Sequence, residues 1–260
     1  MEKRNRNEIL EQIKSHKGVF LLYVFLRIAV AAVMVEQFMA GNFQSVFLCV
    51  LMLFLFIVPS LIEKSGSIRF PDTLEIIILL FIFAAEILGE IQEFYVQIPM
   101  WDTILHTLNG FLAAAVGLSL VEILNNSERI EMRLSPFFIA VVAFCFSMTV
   151  GVMWEFIEFS TDMAFGLDMQ KDTVVHEIHS IMLDPEGGQT PYAIENIHQV
   201  VVDGQEMELE GYLDIGLIDT MKDLLVNFIG AVVFSAGGYL NLKRGKGRGW
   251  MKNFVPEKKA

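Results

Sequence analysis

Apolar residues fall in blocks about as long as a bilayer is thick. A hydrocarbon core of about 30 Å is crossed by about 20 residues of helix. Six blocks have that length, at residues 18–38, 43–62, 73–93, 102–123, 135–160 and 217–240. The pattern predicts an all-α polytopic membrane protein, a bundle of six transmembrane helices. One long polar interval, 161–216, separates the fifth block from the sixth. Within it "HQVVVDGQEMEL" alternates apolar and polar residues about Asp203-Gly204, the signal of a tight hairpin. This interval reads as a small structured extracytoplasmic cap between helices 5 and 6.

Composition supports the membrane reading. The chain is 54% hydrophobic with 22 Phe and only 19% charged residues, and its mean hydropathy is +0.51. A soluble domain of 260 residues is not this apolar. Cys49 and Cys145 lie inside apolar runs, which argues against a disulfide scaffold. The first apolar block exceeds the usual core of a signal peptide, so a retained first helix is expected. No Gly-rich phosphate loop, Ser-His-Asp order or nucleic-acid patch stands out. The partner expected on these grounds is the lipid bilayer.

The basic residues orient the helices. Sixteen of the nineteen Lys and Arg fall in the N-terminal arm, the 63–72 loop (Lys64, Arg69), the 124–134 loop (Arg129, Arg133) and the C-terminal tail. In a six-helix chain these four segments share one side, which the positive-inside rule makes cytoplasmic. The expected organisation is a cytoplasmic basic arm at 1–17, helices 1–5 within 18–160, an acidic extracytoplasmic loop with a hairpin at 161–216, helix 6 at 217–240 and a basic cytoplasmic tail at 241–260. The protein is thus expected in the cell membrane, multi-pass, with both termini cytoplasmic. The net charge of −12 comes largely from the loop, where twelve Asp and Glu lie between Asp162 and Asp214.

Polar residues inside the apolar blocks gather toward the side opposite the basic loops. "WDTILHTLNG" carries Asp102 and His106 one turn apart, with Gly110 on the same face. "WEFIEFSTD" carries Glu155, Glu158 and Asp162, beside Trp154. "LIDTMKDLLVNFIGA" carries Asp219, Asp223, Asn227 and Gly230, with Thr220 next to Asp219. Glu36, Glu86 and Glu90 end on the same side. Ionisable groups within a membrane are costly, about 2.5–3.5 kcal/mol each at the centre on insertion scales, and usually mark function. Small residues deeper on the same stripes, Ala113, Gly117, Ser147 and Gly151 among them, allow close helix approach. The expected result is a shared outward-facing acidic and histidine site. Its catalytic and metal-ligand candidates are Asp102, His106, Glu155, Glu158 and Asp223, with Trp154, Asp219, Thr220 and Asn227 in support. Mixed oxygen and nitrogen donors suit zinc, manganese or iron better than calcium. Other readings stay open. Asp102 alone reads as a helix N-cap beside an interfacial Trp101. Arg27, inside the first block, is one partner available to buried carboxylates. "HEIH" at His176–His179 is one residue short of the spacing that a helical zinc motif needs, and surface histidines are the simpler expectation there.

These three segments together resemble the pattern D-x3-H-x3-G, aromatic-E-x2-E and D-T-x2-D-x6-G-A of a bacterial inner-membrane family typified by YjdF. The resemblance places Asp102, His106, Gly110, Glu155, Glu158, Asp219, Thr220, Asp223 and Gly230 at motif positions but implies no reaction. A fainter similarity reaches the VanZ-like membrane proteins, which are associated with envelope stress. The functional expectation is a metal-dependent envelope or lipid-modifying activity on a lipid or envelope precursor. The alternatives are a proton- or cation-coupled transporter and a non-catalytic envelope-stress factor.

Overall fold

The computed structural model describes residues 17–65, 68–125, 134–244, 249–255 and 257–258. Most of the basic arm, Arg129, Arg133 and residues 245–248 of the tail lie outside the described residues. Long runs of Leu, Ile, Val and Phe give long helices, which carry glycines without breaking. Helix α1 spans Lys17–Met39. It stops where Gly41 takes a positive φ of 76°, and the Asn42 side chain then caps α2 by accepting from the Ser45 N–H at 3.2 Å. Helix α2 spans Phe43–Leu55 and α3 spans Val58–Ser65. Pro59 sits in the first turn of α3, where a missing N–H removes no helical hydrogen bond. Strand β1 (Ile68–Arg69) follows.

The block expected as one helix at 73–93 is built differently. Helix α4 spans Asp72–Phe83 and passes at Ala84 into a π-helical segment, Ala84–Ile91. A short helix, α5 (Phe94–Gln97), and a turn through Met100 at φ 66° lead into α6, Trp101–Asn125. Helix α7 spans Pro136–Phe165 and ends at Gly166, φ 64°. Helix α8 spans Leu217–Arg244. Among the described residues, five helices are long and apolar enough to cross a membrane: Lys17–Met39, Phe43–Leu61, Trp101–Glu122, Pro136–Phe165 and Leu217–Arg244. The six long helices expected become five because the change of helix type at Ala84 leaves pieces of 12 and 8 residues, each too short alone. Bulky apolar side chains on these helices point outward: Leu21, Phe25 and Ile28 are all more than 60% exposed. This is the surface a helix presents to lipid.

The chain divides into two compact units. The first comprises Met1–Thr149 and Val226–Ala260. One of its cores joins α1, α2, α4 and the π segment through Leu26, Val30, Met52, Phe56, Leu79 and Ile87. Another joins α6, the start of α7 and the end of α8 through Ala114, Leu118, Ala143 and Phe234. The tail also enters this second core. A 3₁₀ turn at Gly249–Asn253 buries Met251, and Val255 is fully buried beside it. Beyond them β8 (Glu257–Lys258) pairs antiparallel with β1, Ile68 opposite Lys258. Charge counting hid this, because two apolar side chains among seven basic ones do the anchoring.

The second unit is Val150–Leu225. It holds the distal half of α7, the first third of α8 and six short strands between them. Strands β2 (Val174–Val175) and β7 (Tyr212–Leu213) pair, as do β3 (Glu177–Ser180) and β4 (Tyr192–Glu195). Strands β5 (Val201–Val202) and β6 (Gln205–Glu206) pair across Asp203 and Gly204. Both turn residues have positive φ, 52° and 79°, the conformation that Asp-Gly hairpin turns require.

Candidate functional site

Helix α6 begins at Trp101, and the first helical bond in place is Ile104 N–H to Met100 C=O, 2.9 Å. Asp102 therefore lies inside the first turn and is not the N-cap. One turn later, His106 Nε2 stands 3.4 Å from Asp102 Oδ1. His106 is buried at 9% exposure, and the Asp102 side chain is half-buried. The i, i+4 spacing and the backward tilt of helical side chains bring the two donors to one place.

Below this pair, α6 and α8 touch at backbone level. A Cβ on Gly110 would stand 2.0 Å from the Asn227 carbonyl oxygen, and one on Gly230 would stand 2.0 Å from the Thr107 carbonyl oxygen. Only glycine permits that approach. The contact is polar as well as close. Asn109 Nδ2 donates to Asn227 Oδ1 at 3.1 Å, Asn227 Nδ2 reaches Met148 Sδ at 3.6 Å, and the Ser147 hydroxyl donates to the Gly110 carbonyl at 2.7 Å. Asn227 is 1% exposed. Farther along, Gly238 lies against Leu118, so the two helices run in the same direction from their crossing. Asn109 was not a candidate from sequence, where one amide in an apolar block carries little signal. Its position three residues after His106 is the clue that was available. Beside the crossing lies an apolar groove of about 390 Å³, lined by Met100, Ile104, Leu108, Phe111, Gly230 and Val233.

The second unit holds the remaining candidates. Glu155 and Glu158 on α7 are buried, at 4% and 8% exposure, and Asp223 on α8 is 3% exposed. Glu158 accepts from the Trp154 indole N–H at 2.7 Å, one turn earlier on the helix. Asp219 and Thr220 tie the loop to the start of α8. Asp219 Oδ2 accepts from the Lys171 N–H at 2.8 Å, and the Thr220 hydroxyl accepts from the Gln170 side-chain amide at 2.5 Å. Asp162 accepts from the Met169 and Gln170 N–H groups, and Asp214 from those of Thr173 and Ile218. These three aspartates satisfy backbone donors in the loop. Asp172 stands beside them, and its carboxyl is held above its usual range, first by desolvation and then by the charges of Asp168, Asp214 and Asp162.

Other sequence candidates separate. Arg27 stacks on Tyr23, 4.8 Å from the ring centroid, and shares a pocket with Glu63, Asp72 and Glu75. Its acidic neighbours are not the candidates of α6. Glu36 is exposed on α1, and Glu86 and Glu90 are half-buried on the π segment. His179 lies in β3 and His176 in the bend between β2 and β3, both exposed, so they do not share the helix face that a zinc motif needs. His176 Nδ1 is 3.0 Å from the Ile197 carbonyl oxygen, and His179 pairs with Glu177.

A family model described as "Predicted membrane protein (DUF2238)" matches residues 21–244. This is the family typified by YjdF, and the match does not bear out the fainter likeness to VanZ-like proteins. No curated protein and no solved structure matches the chain.

Proposed function

The chain belongs to this family of predicted membrane proteins, whose description names no reaction, and from its own residues we propose a divalent-cation site that acts on a lipid or envelope precursor. Its core ligands are Asp102 and His106 of α6, and Asp223, Glu155 and Glu158 join them as candidates on their stripe spacing in the sequence alone. The observation that carries the reading is the Asp102–His106 pair. Two donors on a tetrahedral zinc with bonds of about 2.0–2.1 Å stand about 3.3 Å apart. The separation of 3.4 Å between His106 Nε2 and Asp102 Oδ1 fits that geometry. A cation also offsets the cost of placing buried carboxylates in a membrane.

In this reading the cation activates water or polarises a phosphoryl oxygen. The apolar groove beside α6 supports a lipid substrate, since an acyl chain fits its lining. The membrane arrangement proposed with it has six crossings, α4 and the π segment together making the third. Both termini are cytoplasmic in the cell membrane, and residues 161–216 form an extracytoplasmic cap. A second reading, ion-coupled transport, draws on Glu86 and Glu90, because π segments inside helices occur often at functional sites.

Metal analysis of the full chain, purified in detergent without chelator, tests the site. The wild type is expected to carry about one zinc, manganese or iron per chain, and His106→Ala and Asp223→Asn to lose it. Chelation is expected to lower the melting temperature of the wild type and to leave that of the variants unchanged. Equal metal content in all three proteins overturns the reading.

A further inference from the structure

The first unit contains a second polar pocket, of about 360 Å³, between α1, α3, β1 and the start of α4. Asp72 opens α4, while the Asp102–His106 pair lies past the far end of the α4–π run, so the two sites are distinct. The pocket brings two guanidinium groups, Arg27 and Arg69, together with three carboxylates, Glu63, Asp72 and Glu75. Arg27 needs explaining. It lies ten residues into α1, about 15 Å along the helix, on a face that also carries the exposed Phe20 and Val24. Its guanidinium is oriented by stacking on Tyr23, whose hydroxyl donates to the Phe56 carbonyl. Glu63 is oriented too, accepting from the Phe70 N–H at 2.6 Å.

The charges select the ligand by exclusion. A simple anion meets three carboxylates, and a simple cation meets two guanidiniums. A compact group carrying both signs matches the lining. The pocket's apolar wall gives the second constraint. Phe20 and Val24 line it and are 43% and 40% exposed on the face of α1, where a hydrocarbon tail would lie.

We propose that this pocket binds a phosphate ester bearing a primary ammonium, the chemistry of an aminophospholipid headgroup, with Arg27 and Arg69 on the phosphate and Glu63, Asp72 and Glu75 on the ammonium. Arginine forks suit phosphate oxygens, and carboxylates accept the three N–H donors of an ammonium. The inference rests on the membrane reading of the chain and not on the proposed metal site.

Native mass spectrometry of the full chain in mild detergent tests it, with equimolar phosphatidylethanolamine and phosphatidylglycerol offered together. Phosphatidylethanolamine adducts are expected to dominate by about tenfold, the worth of one charge-assisted contact. Glu75→Gln is expected to remove that preference, whereas Arg27→Gln, which loses a phosphate contact common to both lipids, is expected to lower the total lipid adduct, and Arg27→Lys to keep part of it. Soluble phosphoethanolamine is the second arm. If it displaces the lipid at millimolar concentration, the headgroup alone suffices, and if it does not, the site requires the lipid. Equal binding of the two lipids by the wild type overturns the proposal whatever the variants do. So does an unchanged preference in Glu75→Gln, or an unchanged total adduct in Arg27→Gln. Metal content is expected to be normal throughout, so failure here leaves the metal site untouched, and failure there leaves this pocket untouched.

Discussion

Gly110 and Gly230 set how near α6 and α8 come, and Asn109 and Asn227 set their register. A methyl on either glycine strikes a carbonyl oxygen at 2.0 Å, and backbone yields less readily than a side chain. Gly110→Ala is expected to cost about 1–3 kcal/mol as overpacking, read as a lower unfolding midpoint in detergent. Asn109→Ala removes one interhelical hydrogen bond and is expected to cost less, about 0.6–2 kcal/mol. At the loop, Asp172 shows how charge acts. Its pKa is raised, so the folded state holds the proton more tightly than the unfolded one. Stability from this group is full below its ordinary value near 3.8 and is lost as pH rises through the raised value. Asp172→Asn removes that loss, since the amide is uncharged beside Asp168 and Asp214. Hydrogen exchange at the amides of 169–173 is expected to slow in the variant at neutral pH and to match the wild type near pH 3.

Among the elements, the π segment and the tail depart most from what hydropathy predicts. The π segment places Glu86, Gly89 and Glu90 on a widened turn where an α-helix would distribute them differently. A hydropathy window cannot register this, because it averages residue type and ignores helical pitch. The tail fails the same test for another reason. Its apolar residues are too few to count as a block, yet Met251 is 1% exposed and Val255 is fully buried. Met251→Ala is expected to destabilise the first unit by about 2–3 kcal/mol through the cavity it leaves. Lys252→Ala, an exposed neighbour, is expected to change stability by less than about 0.5 kcal/mol. Paired thermal scans of the two variants check the contrast.

For the whole molecule, the proposed orientation makes one decisive prediction. A reporter fused after Ala260 is expected to read cytoplasmic, and one inserted at Gly187-Gly188 in the loop is expected to read extracytoplasmic. The opposite result reverses the direction in which the proposed metal site opens. The membrane class and most helix positions were already written in the sequence. Burying some twenty apolar residues in lipid is a one-dimensional requirement that each block meets alone. The candidate residues were legible for a similar reason, since a charge in an apolar block is conspicuous and i, i+4 spacing fixes a helix face. The 3.4 Å meeting of Asp102 and His106 follows from that spacing. The meeting of Asn109 with Asn227, 118 residues apart, does not, and neither does the assembly of Arg27, Glu63 and Asp72 in one pocket. Those depend on which faces of distant helices pack together. That is decided by glycine-permitted backbone contact and shape fit between side chains, which no single stretch of sequence contains.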